Sequence, residues 1–121
     1  MEDVWIADDE PSIRKLIVTV VKMALKPQSL REFASAEEVI AALDKETPKL
    51  LITDNIMGGM LGINLIKYVR SLPDDRKNIR IVFVTSNVEH QEEAEKLGVR
   101  FVAKPVNVPE LRQAVKDMYP G

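Results

Sequence analysis

The sequence predicts a doubly wound α/β domain in which five parallel strands alternate with five helices. Short apolar runs rich in β-branched residues recur along the chain, separated by longer segments of helical periodicity. The runs are nearly continuous rather than alternating, which is typical of parallel strands covered by helices on both faces. The 121 residues suffice for one such domain, whereas an eight-stranded barrel needs about twice that length.

Four strands are predicted from clear patterns and a fifth from a weaker one. The clear strands cover residues 4–7, 50–53, 79–84 and 101–103, and the weaker candidate, second in chain order, covers residues 28–33. Parallel neighbours need right-handed crossover connections, so few topologies remain for these strands.

Helical periodicity fills the segments between the strands. Helices are predicted over residues 11–25, 36–44, 63–71, 90–97 and 108–119, and a polar surface loop over residues 71–78. Pro11 suits the first turn of a helix, Ser35 suits an N-cap, and Gly98 suits the position after a helix end.

The composition excludes several classes of function. The chain has no cysteine, which excludes a thiolate nucleophile, a Cys-based zinc site and an iron–sulfur cluster, and fits a reducing cytoplasm. Its 17 Lys and Arg against 19 Asp and Glu give a net charge of -2, so no direct nucleic-acid or membrane-surface ligand is expected.

The acidic start at Met1–Asp3 and the lack of a ~20-residue apolar run predict neither a signal peptide nor a membrane span. We therefore expect a cytoplasmic protein.

Polar side chains follow directly after four of the predicted strands. In an open α/β sheet, ligands bind beyond the carboxyl ends of the strands, so these side chains should meet at one rim. The set comprises Asp8, Asp9, Glu10, Asp54, Thr85, Ser86 and Lys104.

The chemistry of this rim favours a divalent cation and a phosphoryl group. Clustered carboxylates raise one another's pKa unless a cation lies among them. Oxygen ligands without Cys or clustered His favour Mg²⁺. Lys104 and Thr85 suit phosphoryl oxygens, and Asp54 is the best candidate for a carboxylate nucleophile that forms an acyl phosphate.

In this order and at these strand ends, the motifs resemble the receiver domain of two-component response regulators. The matching segments are IADDEPSIR at 6–14, LITDNIMGGMLG at 51–62, IVFVTS at 81–86 and GVRFVAKP at 98–105. The resemblance covers essentially the whole chain, so residues 1–121 are expected to form one receiver domain. It implies a flavodoxin-like fold with strand order 2-1-3-4-5.

The resemblance also implies a role for each acidic residue of the rim. Asp54 would be the phosphoacceptor and a metal ligand. Asp9 would bind Mg²⁺ directly and Asp8 through water, with the backbone carbonyl of Ile56 completing the protein's share of the metal shell.

Three further residues would carry the phosphoryl group's effect into the domain. Thr85 would bind a phosphoryl oxygen and move inward, and Phe101 would swing inward behind it as the switch residue. Lys104 would pair with the phosphoryl group, and the bond between Lys104 and Pro105 is expected to be cis. The negative charge of the phosphoryl group would thereby shift the domain between two conformations of Thr85 and Phe101.

The implied partners are those of a signalling module. The phosphoryl donor would be a histidine kinase or phosphotransfer domain, and the target a downstream protein or a fused effector domain. The resemblance implies a signalling face formed by the fourth helix, the fifth strand and the fifth helix, and a phosphorylation-dependent homodimer is compatible with this face. The domain would catalyse only its own phosphorylation and dephosphorylation. The sequence does not distinguish a stand-alone regulator from a module of a longer protein, and it leaves the kinase, the pathway, the output, the oligomeric state and the phosphoryl lifetime open.

The sequence departs from the family's pattern in the loop that follows Asp54, where the resemblance places a metal ligand at Ile56. Gly58 and Gly59 stand where a proline is common after Met57, and we expect them to loosen the loop. Ile56 and Asn87 occupy the two positions that tune dephosphorylation. Because the apolar side chain of Ile56 cannot orient water, we expect a longer-lived phosphoryl group than with a polar residue there.

Other functions fit the sequence less well. A receiver that binds partners without phosphorylation is the main alternative, although the complete set of rim residues argues against it. A small phosphatase of the haloacid dehalogenase type needs a second Asp two residues after the nucleophile, where this chain has Ile56. A flavodoxin-like cofactor binder would need a phosphate-binding loop after the first strand, and the sequence has none there.

Overall fold

The computed structural model describes residues 3–27 and 29–121 of the chain. Within these residues, five parallel strands form one sheet in the order β2-β1-β3-β4-β5, with five α-helices. In chain order the elements are β1 (Val4–Ala7), α1 (Pro11–Leu25), β2 (Leu30–Phe33), α2 (Ala36–Leu43), β3 (Leu50–Thr53), α3 (Gly62–Arg70), β4 (Arg80–Thr85), α4 (Gln91–Lys96), β5 (Arg100–Ala103) and α5 (Val108–Met118). The predicted doubly wound fold and strand order are confirmed.

Two predicted boundaries shift where short 3₁₀ helices intervene. Asp75–Asn78 is a 3₁₀ turn within the predicted polar loop, so β4 begins one residue late, at Arg80, and extends to Thr85. A second 3₁₀ turn, Val88–His90, precedes α4, which is therefore shorter than predicted. The weaker strand prediction is confirmed over β2, while its first residue, Gln28, lies outside the described residues, as do Met1 and Glu2.

The sheet is buried on both faces, which explains the continuous apolar runs of the sequence. Alternate residues of each strand point to opposite faces. Trp5, Leu51 and Phe83 pack on one face with the apolar sides of α2, α3 and α4. Ile6 and Val82 pack on the other face with α1 and α5. No described helix combines the length and the apolar character needed to cross a membrane.

Local signals in the sequence fix the ends of several helices. Pro11 opens α1, as its fixed φ allows. The Ser35 hydroxyl accepts a hydrogen bond from the Glu38 N–H at 3.2 Å and caps α2. Gly98 follows α4 with a φ of 76°, in the left-handed region that favours glycine. These three predictions are confirmed.

Candidate functional site

The pairing of β1 with β3 brings two of the predicted acidic residues side by side. Ala7 pairs with Thr53, and the Asp54 N–H continues the ladder by donating to the Ala7 carbonyl at 3.0 Å. Asp8 is fully buried, and Asp54 is 8% exposed. Each of Asp8, Asp9 and Asp54 places a carboxylate oxygen within 4.8 Å of the others. The structure thus assembles the predicted acidic cluster at the middle of the sheet.

Lys104 brings one positive charge into this cluster. Its ammonium lies 3.0 Å from Asp54 Oδ2 and 3.5 Å from Asp8 Oδ2. The Lys104 N–H donates to the Thr85 carbonyl at 3.0 Å, which fixes its backbone to the end of β4. The bond between Lys104 and Pro105 is cis, as predicted. One ammonium therefore contacts two of the three clustered carboxylates.

The charges of the cluster are not balanced. Burial raises the pKa of Asp8, and the negative charge of Asp54 adds to this rise, while the Glu10 N–H and Lys104 oppose it. Burial alone would lower the pKa of Lys104, but its hydrogen bond and charge interaction with Asp54, together with the charge of Asp8, outweigh that effect and leave the pKa raised. A further cation would relieve the remaining repulsion. The cluster's oxygen-only donors fit Mg²⁺.

Thr85 lies at the end of β4 and is buried. Its hydroxyl donates to Asn87 Oδ1 at 3.2 Å and accepts the Asn87 N–H at 3.1 Å. The side chain of Asn87, one of the two tuning positions, thus binds the hydroxyl that was expected to contact a phosphoryl oxygen. To donate to a phosphoryl oxygen, the Thr85 hydroxyl would have to give up its hydrogen bond to Asn87 Oδ1.

Phe101 is half-buried on β5. Its ring meets the Phe83 ring edge to face, with centroids 6.1 Å apart, and this is a favourable arrangement for two aromatic rings. The side chain packs on the sheet face that α2, α3 and α4 cover. Phe101 therefore packs against the same core cluster as Ala94 of α4.

The loop between β3 and α3 has both an exposed and an anchored part. Ile56 is 57% exposed, whereas Met57 next to it is 1% exposed and lies in the core. Gly59 has a φ of 99°, and the following Met60 N–H donates to Glu37 Oε2 on α2 at 3.1 Å. The expected loosening by two glycines stays a prediction, but the loop has an anchor on each side of them.

Sequence reasoning missed two residues that connect Asp54 to α3. The Asn55 N–H donates to Asp54 Oδ1 at 2.6 Å, and the Asn55 side-chain oxygen accepts the Ile63 N–H at 3.0 Å. The backbone of Gly62 passes so close that an added Cβ would collide with the Asp54 carbonyl oxygen. The only sequence signals were an amide directly after the strand-end acid and a glycine at the start of a helix.

A doubly wound sheet with this acidic rim defines a signalling module of the two-component type. The family profile of the response regulator receiver domain matches residues 4–116. The chain belongs to this family.

Individual relatives agree with the family match. Sporulation initiation phosphotransferase F of Bacillus subtilis is 29% identical over 124 residues, covering 98% of this chain and 94% of that protein. The DNA-binding transcriptional regulator NtrC of Salmonella typhimurium is 39% identical over 69 residues, covering 55% of this chain and 14% of that protein. The solved structure of the chemotaxis response regulator CheY4 of Vibrio cholerae aligns with a TM-score of 0.81 at 25% identity, covering 98% of each chain.

Proposed function

We propose that residues 1–121 form one receiver domain that accepts a phosphoryl group on Asp54 and thereby changes its signalling face. One observation carries this proposal: the buried Asp54 carboxylate lies 3.0 Å from the Lys104 ammonium, within a cluster of three acids. An acid buried at a strand end among other acids has no structural advantage without a cation. The family match supports the same role.

In the proposed reaction, an Asp54 carboxylate oxygen attacks the phosphorus of a phosphohistidine. The new O–P bond forms as the P–N bond breaks, and the imidazole leaves and takes up a proton. Lys104 binds an equatorial phosphoryl oxygen and offsets the charge that develops there. The Asn55 N–H, which already contacts Asp54 Oδ1, holds the other carboxylate oxygen and orients the nucleophile.

We propose that Asp8, Asp9, Asp54 and the backbone carbonyl of Ile56 hold Mg²⁺. The excess of carboxylates over ammonium groups in the cluster supports this assignment. When bound, the ion supplies positive charge next to the phosphoryl oxygens. A bound ion would also offset the repulsion between the charges of Asp8 and Asp54.

The proposed switch begins at Thr85. A phosphoryl oxygen on Asp54 competes with Asn87 Oδ1 for the Thr85 hydroxyl, and the charged oxygen is the stronger acceptor. Movement of Thr85 toward Asp54 frees space beside β4, and Phe101 moves into it. The change would reach the face formed by α4, β5 and α5, where a partner would detect it.

The proposed partners follow from the family. A histidine kinase or phosphotransfer domain donates the phosphoryl group, and a downstream protein or fused effector domain receives the signal. The similarity to part of NtrC, a DNA-binding transcriptional regulator, supports the fused arrangement. In this proposal the domain works in the cytoplasm and contacts neither nucleic acid nor membrane directly. It catalyses only its own phosphorylation and dephosphorylation. A homodimer that forms on phosphorylation is part of the same proposal.

The test is intact-mass spectrometry after incubation with Mg²⁺ and a small acyl-phosphate donor. The wild type should gain one phosphoryl mass, and Asp54→Asn should gain none. Asp44→Asn is the matched control, because Asp44 is an exposed acid at the end of α2, and it should behave like the wild type. If the wild type gains no mass although it binds Mg²⁺, the chain is a phosphorylation-independent binding module. Native mass spectra of the same samples report dimer formation.

The exposed side chain of Ile56 predicts a slow loss of the phosphoryl group. An amide at this position can hydrogen-bond an attacking water, and an aliphatic side chain cannot. Ile56→Asn should therefore shorten the half-life of the phosphorylated protein several-fold, as followed by the decay of the phosphoryl mass. An unchanged half-life would refute this role of Ile56.

A further inference from the structure

A second cluster of charge lies at the opposite end of the sheet from the acidic rim. Here a depression of about 670 Å³ opens beside the amino end of β4. Four of its lining residues are cations from four different elements: Arg70 from α3, Lys77 from the 3₁₀ helix Asp75–Asn78, Arg80 from β4 and Lys96 from α4. Leu97 and Met118 form its apolar wall. None of the described residues that line it is acidic.

Arg70 is the anchor of this depression. Its guanidinium donates to the carbonyl oxygens of Leu97, Lys77 and Ile79 at 2.7, 2.8 and 2.8 Å. Burial lowers the pKa of Arg70, and its three acceptors are neutral carbonyls. The guanidinium is thus rigidly placed, while its positive charge has no anion against it in the described part of the chain.

The other cations of the depression are exposed and adaptable. Arg80 and Lys77 lie on the surface. Lys96 contacts Glu92 at 3.3 Å, but both side chains are more than 70% exposed, at 75% and 84%, and such a pair exchanges easily for another anion. The carboxyl ends of α3, α4 and α5, at Arg70, Lys96 and Met118, contribute about half a negative charge each. With the charge of Glu92 also counted against Lys96, the four positive charges still exceed the negative ones, although the chain as a whole carries -2.

We propose that this depression binds a ligand that carries a chain of phosphate groups. Arg and Lys together supply the forked and the point-charge donors that phosphate oxygens accept. The volume falls within the range of about 300–1,000 Å³ that is usual for small-ligand sites. Cations from four elements around one concave site suit a compact polyanion, whereas an extended acidic peptide would need them along a groove. The apolar wall leaves room for a nucleoside, so inorganic oligophosphate and nucleoside triphosphate share the required chemistry.

Isothermal titration calorimetry of the whole chain with tripolyphosphate and with ATP, in low salt without Mg²⁺, tests this proposal. Wild-type protein should bind tripolyphosphate saturably, and K77Q/R80Q should bind about tenfold more weakly. The matched control is K15Q/K22Q, which removes two exposed lysines of α1 and should bind like the wild type. Tighter binding of ATP would identify a nucleotide site, and equal binding a site for the phosphate chain alone. Circular dichroism confirms that each variant is folded.

The proposal does not depend on the acceptor role of Asp54. Amide chemical shifts should change at Asn78 and Gly98, which line the depression, and D54N should bind as the wild type does. Changes confined to Asp54 and Thr85 would instead assign the binding to the acidic rim. The proposal is overturned by that result, by absence of binding, by equal weakening in both double variants, or by binding of a hexaglutamate peptide in preference to tripolyphosphate.

Discussion

The two ends of the sheet both bury charge, but with opposite sign and different partners. At the carboxyl end, three carboxylates lie together, and two of them contact the ammonium of Lys104. At the amino end, the guanidinium of Arg70 faces three backbone carbonyls. Backbone acceptors hold their partner permanently because they are part of the fold. Carboxylates that repel one another favour a bound cation, so under the proposed function the carboxyl end is the end that changes state.

The direction of the helices contributes to this difference. In a doubly wound domain, helix N-termini face the carboxyl ends of the strands, and helix C-termini face the amino ends. The partial positive charge of the N-termini therefore favours acids at the carboxyl end, and the partial negative charge of the C-termini favours cations at the amino end.

The largest effect is expected where the carboxyl end depends on close backbone contact. Gly62→Ala should lower the free energy of unfolding by about 3 kcal/mol, because the added methyl group collides with the Asp54 carbonyl oxygen. Gly58→Ala is the matched control. Nothing lies within 4 Å of its added Cβ, so it should leave stability unchanged or raise it by about 0.5 kcal/mol. Urea unfolding measures both, and a loss below about 1 kcal/mol for Gly62→Ala would contradict the contact.

At the amino end, the loss should be one of stability and not of phosphorylation. Arg70→Ala removes the donor from three carbonyls and should lower the free energy of unfolding by about 2–3 kcal/mol. Arg70→Lys should recover only part of the loss, because an ammonium lacks the guanidinium's forked geometry. The phosphorylation rate per folded molecule should stay at the wild-type value. A slower phosphorylation rate in the folded fraction would show that the two ends of the sheet are coupled and would contradict the separate roles assigned to them.

The sequence predicted the fold and the acidic cluster because both follow from short-range patterns. Continuous apolar runs indicated buried strands, and the residue after each run fell at the rim by geometry alone. Asp8, Asp54 and Lys104 meet as expected. The boundary errors at the starts of β4 and α4 arose where 3₁₀ turns end, because a turn of three or four residues is too short to show a period.

The missed residues act through contacts that no local pattern encodes. Glu37 meets the backbone of Met60 across 23 positions of sequence, and Arg70 meets Leu97 across 27. Asn55 looked like an ordinary polar residue after a strand, although it joins Asp54 to α3. Such contacts depend on how helices pack on the sheet, which periodicity does not determine.

Removing the negative charge of Asp8 from the carboxyl end should stabilise the metal-free protein. Removing the positive charge of Arg70 from the amino end should instead destabilise it. Burial raises the pKa of Asp8 in the folded state, so its ionised form destabilises the fold at neutral pH. Asp8→Asn should raise the free energy of unfolding by about 1 kcal/mol at pH 7.

The pH dependence follows from the sign of this shift. As pH falls through the raised folded-state pKa of Asp8, the folded protein takes up the proton and the cost of the charge fades. The cost is gone below the unfolded value of about 3.9. Urea unfolding from pH 7 downward should therefore show the wild type approaching Asp8→Asn. A constant gap between the two proteins would rule out the charge as its cause, and Asp44→Asn serves as the surface control.

The smallest effect concerns how firmly the carboxyl end holds the loop between β3 and α3. In contrast to the three bonds of Arg70, one bond joins Glu37 to the loop, at the Met60 N–H. Glu37→Ala should free the loop and weaken Mg²⁺ binding two- to fivefold, about the value of one exposed hydrogen bond. Glu37→Gln keeps an acceptor oxygen and should retain most of the affinity. Glu38→Ala is the control, because Glu38 accepts the Ala34 N–H at the start of the same helix and does not touch the loop. Equal weakening in both alanine variants would assign the effect to the stability of α2, whereas weakening by Glu37→Ala alone would show that this contact restrains the loop between β3 and α3.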